Sequence, residues 1–159
     1  RHLIDRGHTK IAGDFKSDDI QGHQRYSGFI SELFRSGLII PDENVFWYTT
    51  ETKEALFDKP EEVLKRLGDN TAVVCYNDEV AFGLVKCLLS AGRRVPEDVA
   101  VVSFDNSNLS WISQVPITSL SYEDRNIGRI AAQMLVDILN GREVSSEVLP
   151  WTFIRKESS

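Results

Sequence analysis

A chain of 159 residues with 42% hydrophobic and 26% charged content has the make-up of one ordinary globular domain, long enough to bury a sizeable core. Its net charge of −6, with Lys and Arg scattered rather than striped, excludes a phosphate backbone as something this segment grips by itself. No run approaches the ~20 apolar residues of a membrane span, and Cys75 and Cys87 lack CxxC spacing or neighbouring His pairs, so they read as buried thiols in a reducing cytoplasm, with no metal and no cofactor expected.

Along the chain, "RHLIDRGH" reads as the last turn of a helix closed by Gly7, with no start signal before it. Lys10–Phe15 is a short strand. From about Asp19 to Ser36, Tyr26, Phe29, Ile30, Leu33 and Phe34 mark one face of a helix that Gly37 closes. Val45–Thr49 is rich in β-formers. Pro60-Glu61-Glu62 opens a helix with proline in its first turn and acid against the dipole, and Val63, Leu64 and Leu67 line its inner face. The strand Ala72–Tyr76 leads to a helix from about Asp78 to Ala91, with Ala81, Leu84, Val85 and Leu88 inward and Gly92 at its end. Val99–Phe104 is a strand, 105–113 a polar loop and Ile117–Leu120 a fifth strand. Ser121-x-x-Asp124 has the form of a capping box, opening a helix to Asn140 with Ile127, Ile130, Ala131, Met134, Leu135 and Ile138 on one face. The tail Val148–Arg155 reads as a last strand.

Strands alternating with helices imply an α/β fold: a doubly wound, mostly parallel sheet covered on both faces, which is why "AVVCY" and "VAVVSF" are continuously apolar. Ligands of such sheets sit beyond the carboxyl ends of the strands. Here those ends carry Lys16-Ser17-Asp18-Asp19, Thr49-Thr50-Glu51, Asn77-Asp78-Glu79 and Asp105-Asn106. A rim of carboxylates, amides, hydroxyls and cations suits a polyhydroxylated ligand, whose hydroxyls each give and take a hydrogen bond. No GxGxxG and no GxxxxGK[ST] is present, which argues against a nucleotide. Each of Asp19, Asn77 and Asp105 also suits a helix cap or turn taken singly, and the coincidence of four clusters favours the ligand. His2, His8 and His23 read as surface or structural residues. A phospho-acceptor signalling domain would need an acceptor Asp after the third strand, Ser or Thr after the fourth and Lys after the fifth; the chain has Asn77-Asp78, Asp105 and Ser121-Tyr122 there.

The segments "HLIDRGHTKIAG", "DDIQGHQRYSGFISELFRSGL", "TAVVCYNDEVAFGLVKCLLSAGRRVPEDVAVVSFDNS" and "PITSLSYEDRNIGRIAAQMLVDILNGR", in that order, resemble the ligand-binding core of the lactose/galactose-repressor family of bacterial transcription regulators. "GDFKSDDIQG" with "CYNDE" is most similar to the arabinose-responsive branch. The resemblance implies a periplasmic-binding-protein-like fold of two α/β subdomains. Residues 1–9 would end a first-subdomain helix and crossover, and 10–115 would form the second effector subdomain. Residues 116–141 would be a strand and helix of a truncated first subdomain, and 142–159 a crossover and the last strand of the second.

Carried over by position, Arg25, Asn77 and Asp105 would contact the sugar, with Gln21, Tyr122, Lys16 and Asp18 beside them. Thr49 stands where many members place a stacking aromatic, which weakens the case for stacking on that side. Trp111, with Leu84, Cys87 and Leu88, would join a homodimer contact, core burial being the competing role for the last three. The implied function is a cytoplasmic, non-enzymatic effector module, in which sugar (pentose or hexose) bound between subdomains changes operator affinity through a DNA-binding head absent from these residues. The alternative is a periplasmic sugar receptor for transport. With half the cleft outside the chain, sugar binding is expected to be weak or nil, and the apolar stripe of the helix near 124–140 is expected either to self-associate or to fold back on the domain.

Overall fold

The helix that follows the first strand begins where Asp19 turns its carboxylate back to accept from the Gly22 N–H at 2.6 Å. This N-cap fixes the chain direction after β1, and the same device recurs at Asn77, whose Oδ1 accepts from the Val80 N–H at 3.0 Å. The structure, a computed structural model, describes residues 1–122 and 126–159. In chain order the elements are α1 (His2–Asp5), β1 (Ile11–Lys16), α2 (Ile20–Arg35), β2 (Val45–Tyr48), α3 (Pro60–Leu67), β3 (Ala72–Cys75), α4 (Asp78–Ser90), β4 (Ala100–Phe104), α5 (Asn108–Ile112), β5 (Thr118–Ser121), α6 (Ile127–Leu139) and β6 (Thr152–Ile154). Short 3₁₀ turns at Asp42–Asn44 and Lys53–Phe57 flank β2 and precede α3.

The six strands form one sheet in the order β2-β1-β3-β4-β5-β6. The first five run parallel, and β6 returns antiparallel to β5. On one face α3 and α4 bury Val63, Leu67, Val80, Leu84 and Leu88 against Phe46, Tyr48, Val73, Cys75 and Val101. On the other, α1 and α2 bring Leu3 and Leu33 onto Ile11, Ala72 and Ala100. Helices on both faces confirm the doubly wound class, and the apolar strand centres are the sequence consequence of that double cover.

Several expectations need correction. The stretch 105–113 is not loop throughout: α5 forms there, its Ser110 hydroxyl donating to Ser107 O at 2.7 Å while the buried Asp78 carboxylate accepts from the Ser107 N–H. Asp78 lies 29 positions before Ser107, so no local pattern announced that anchor. The tail is strand only over Thr152–Ile154. A strand at 117–120 in a separate subdomain does not hold either, because β5 pairs with β4 through Val102↔Thr118, Ser103↔Ser119 and Phe104↔Leu120. Leu84, Cys87 and Leu88 are buried within the chain's own core, which leaves them no surface to offer a partner. Trp111 is 56% exposed, with the Lys156 ammonium 4.0 Å over its ring.

Asp124, the far member of the expected capping box, lies outside the described residues. The cap observed for α6 is Asn126, whose Oδ1 accepts from the Arg129 N–H at 2.9 Å. None of the residues of α6 is buried, so its apolar stripe does not fold back on the domain. Both cysteines are buried, and burial pushes both thiols upward. Among the described residues no helix is long and apolar enough to cross a membrane.

Candidate functional site

Parallel strands deliver their carboxyl ends to one edge of the sheet, and the residues expected from sequence gather there. The centre is Arg25, on the second turn of α2 and only 8% exposed. One guanidinium nitrogen donates to the Tyr76 carbonyl, and Nη2 meets Asp105 Oδ1 at 2.9 Å. Arg25 Cζ also lies 4.8 Å from the Tyr76 ring centroid and 4.5 Å from that of Phe104. A planar, delocalised cation suits such a setting better than an ammonium, because its faces meet rings while its edge donates.

Asp105 and Asn106 both adopt positive φ, +95° and +48°. Asp and Asn tolerate this region better than other side-chain-bearing residues, and backbone in a sparsely populated conformation at a strand end is often held there for function. The turn is fixed from several sides. Asp105 N–H donates to Leu120 O at 2.8 Å, Asn106 N–H donates to Ser119 Oγ at 3.0 Å, and the Lys156 ammonium donates to Asn106 Oδ1 at 2.7 Å. Ser119 in turn donates to the buried Asp78 at 2.7 Å. The Asp105 side chain remains part-exposed at the rim.

A second set of contacts spreads from Tyr76 across β1. Its hydroxyl lies 2.8 Å from Asp19 Oδ2 and 3.1 Å from Gln21 Oε1, both acceptors. Lys16 Nζ bridges Asp18 at 3.3 Å and Asp19 at 3.2 Å. Asp18 accepts from the Thr50 N–H at 2.9 Å. That N–H and the Thr50 hydroxyl, with help from Lys16, hold the Asp18 carboxyl down at about 2. Partial burial works to raise Asp19, but the Gly22 N–H, the Tyr76 hydroxyl and Lys16 outweigh it, and its carboxyl lies below the usual range. Both carboxylates are therefore charged acceptors at neutral pH. Gly22 makes the arrangement possible: a Cβ there would sit 1.8 Å from Lys16 O, so only glycine lets α2 start against the end of β1.

The remaining predicted residues divide. Asn77 caps α4 with its oxygen, the role any strand-end Asn can fill, and this leaves its NH₂ group as the side chain's ligand-facing capacity. Thr49 is tied into its own turn, its N–H donating to Thr52 Oγ1 at 2.9 Å. Tyr122 is stacked on Trp151 at 4.0 Å rather than presenting its ring face openly. Gln21 is exposed at the mouth of the site. Among the histidines, His23 Nε2 lies 2.9 Å from Ser17 O, His8 Nδ1 2.9 Å from Thr71 Oγ1 and His2 Nε2 3.1 Å from Ser159 Oγ, in line with structural roles.

Sequence reasoning did not single out Tyr76, Phe104, Trp151 or the Lys53–Glu79 pair, in which the ammonium reaches both carboxylate oxygens at 2.9 Å. Tyr76 had a signal, as the last residue before Asn77. Phe104, likewise the last strand residue before Asp105, was indistinguishable from core. A cavity of about 630 Å³ opens beside this group, lined by Gln21, Arg25, Phe29, Phe104, Leu120 and Trp151 among others. Its size is that of a small-molecule site, with largely apolar walls among which Gln21 and Arg25 are polar members.

Among known proteins, the family model described as "Periplasmic binding protein-like domain" matches residues 1–159. The arabinose metabolism transcriptional repressors of Halalkalibacterium halodurans and Geobacillus stearothermophilus are 38% and 36% identical, over 87% and 90% of this chain. The chain spans only 38% and 40% of the length of these curated relatives. The solved transcriptional regulator CelR–cellobiose complex superposes with a TM-score of 0.85 at 31% identity, covering 99% of this chain and 49% of that one.

Proposed function

The chain belongs to the periplasmic binding protein-like domain family, and from that membership we propose that it is a sugar-sensing portion of a bacterial transcription repressor, working by binding rather than catalysis. The observation that carries the proposal is the Arg25–Asp105 pair. A buried guanidinium is fixed by a carbonyl and two rings, and its carboxylate partner stands at the exposed rim of the same sheet edge that carries Lys16, Asp18, Gln21, Thr49, Asn77 and Tyr122. Fixed donors and charged acceptors at one border present to a sugar hydroxyl both partners it needs, with little ordering left to be done on binding. The named relatives favour the regulator over a transport receptor, and a cytoplasmic site of action goes with that reading.

On this reading residues 10–121 form one effector subdomain together with the returning strand β6, and α6 belongs to the other wall of the cleft. Sugar held between the walls favours a closed arrangement by differential affinity, and operator affinity changes through a DNA-binding segment elsewhere in the protein. Trp111 with its Lys156 partner is the remaining candidate for a homodimer contact. L-Arabinose is the sugar to test first, given the relatives' names. Titrated into the ¹⁵N-labelled chain, it is expected to move the amide and side-chain resonances of Arg25, Asn77 and Asp105 with an affinity in the millimolar range, one wall of a cleft being at work. Shifts confined to other regions of the chain, or no binding by the full-length protein up to tens of millimolar sugar, overturn the proposal.

A further inference from the structure

The geometry points to Trp151 as a positioning residue for Arg25, one that ties the arginine to the segment leaving β5. The inference rests on the reading of Arg25 as a sugar contact and adds a residue and a coupling to it. Its starting point is strand register. β5 and β6 pair antiparallel as Ser119↔Ile154, Leu120↔Phe153 and Ser121↔Thr152. One further step along the ladder sets Tyr122 directly opposite Trp151, and alternation puts both on the face shared by Leu120 and Phe153. The rings meet there as a stack, with centroids 4.0 Å apart and planes inclined by 30°.

That face is the one α2 covers, and it brings Trp151 to Arg25. Arg25 Cζ lies 6.0 Å from the Trp151 ring, at the outer range of a cation–π contact. The Trp151 ring also meets Phe104 edge-on, with centroids 6.0 Å apart, and Phe104 is the ring nearest the guanidinium, at 4.5 Å. Tyr76, Phe104 and Trp151 thus form a three-sided aromatic cage, in which hydrogen bonds to Tyr76 O and Asp105 fix the guanidinium's edge and the rings limit its tilt. Two sides belong to the ends of β3 and β4 and are set by the sheet. The third stands just before β6, is 38% exposed, and is held by Tyr122, the last described residue before the chain runs towards α6.

A movement of the 122 segment therefore reaches Arg25 without passing through the ligand. It shifts Tyr122, Tyr122 shifts Trp151, and the third side of the cage opens or closes. The arginine that reads the sugar and the segment joining this unit to α6 are coupled through two stacked rings.

Two readouts separate this role from simple packing. In the sugar-free chain, the Arg25 Nε–H resonance carries ring-current shifts from the cage. Trp151→Leu, which keeps apolar bulk without a ring, is expected to move that resonance towards its unstructured position. Trp151→Phe should hold most of it, Tyr122→Leu should reproduce the Trp151→Leu displacement in part, and Tyr122→Phe should not. In L-arabinose titrations, Trp151→Leu is expected to weaken binding about tenfold, with Trp151→Phe recovering most of the loss. An Arg25 resonance that ignores Trp151→Leu overturns the cage. A resonance that moves while affinity stays unchanged overturns the positioning role. If neither the parent chain nor the full-length protein responds to arabinose, the sugar reading falls, and the sugar-free resonances still decide whether the cage exists.

Discussion

Among the described residues, two Arg–Asp pairs that each have one buried member lie on opposite faces of one sheet, and they are built to opposite effect. Arg25 and Asp105 meet at 2.9 Å at the strand ends, with the carboxylate part-exposed and the guanidinium fixed by a carbonyl and rings. Arg66 and Asp14 approach only to 3.7 Å, and Asp14 stands mid-strand on the α3 face beside Phe46 and Cys75, its neighbours in register. There the carboxylate is the buried member, 1% exposed, and its Oδ1 accepts no hydrogen bond from the protein. Burial pushes the Asp14 carboxyl up to about 7, and Arg66 offsets only part of that. The strand-end pair leaves its carboxylate where a ligand can reach it; the mid-strand pair buries its carboxylate and penalises the charge. Position along the strand, not residue identity, separates a usable site from a liability.

The largest predicted effect attacks the mid-strand pair. With the folded carboxyl raised to about 7 against an ordinary 3.8, the native chain holds a proton that the unfolded chain has released. The contribution of Asp14 is therefore full below about pH 4 and is lost as pH rises through 7, by on the order of 4 kcal/mol. Asp14→Asn is expected to remove that slope, so that the variant is the more stable protein at pH 8 and the advantage fades towards pH 4. Denaturant melts across this range check it, and a parent whose stability is flat from pH 4 to 8 breaks the contrast.

A smaller effect tests the strand-end site. Gly22→Ala forces a Cβ against Lys16 O and is expected to cost about 1–3 kcal/mol, with the start of α2 displaced and the Asp19 cap weakened. Thermal melts read the loss, and an unchanged melting temperature would mean that β1 and α2 do not abut as described. The smallest effect on stability is the most informative about the site. Asn77→Asp keeps an oxygen for the Val80 N–H and so should stay within about 0.5 kcal/mol of the parent. It removes the NH₂ donor, however, and should still weaken arabinose binding. Equal losses of affinity and stability would reduce Asn77 to a cap.

Much of this arrangement was legible before any coordinates. Continuous apolar strands, proline at the opening of α3 and Asp or Asn ahead of α2 and α4 report local constraints, which act within a few residues and so leave marks in sequence. The strand-end clusters followed from the same periodicity once a parallel sheet was inferred. Not legible were the contacts joining distant segments. Trp151 on Tyr122, Lys156 on Asn106 and Ser119 on Asp78 span 29 to 50 positions and depend on where β5 and β6 dock. The expected boundary at 116 failed for the same reason, since membership of a sheet is decided by hydrogen bonds to β4 and not by the strand's own residues.

By itself, then, the sequence determined the alternation of elements, the double cover of the sheet and the polar character of one edge, because burial and capping act on each segment separately. Tertiary structure decided which arginine is caged and which carboxylate is left within reach of solvent. It also decided whether Leu84, Cys87 and Leu88 face core or partner, and which strand receives β5. Those outcomes depend on what lies opposite a side chain after the chain has crossed over, and desolvation and pairing energies exist only once that neighbour is in place.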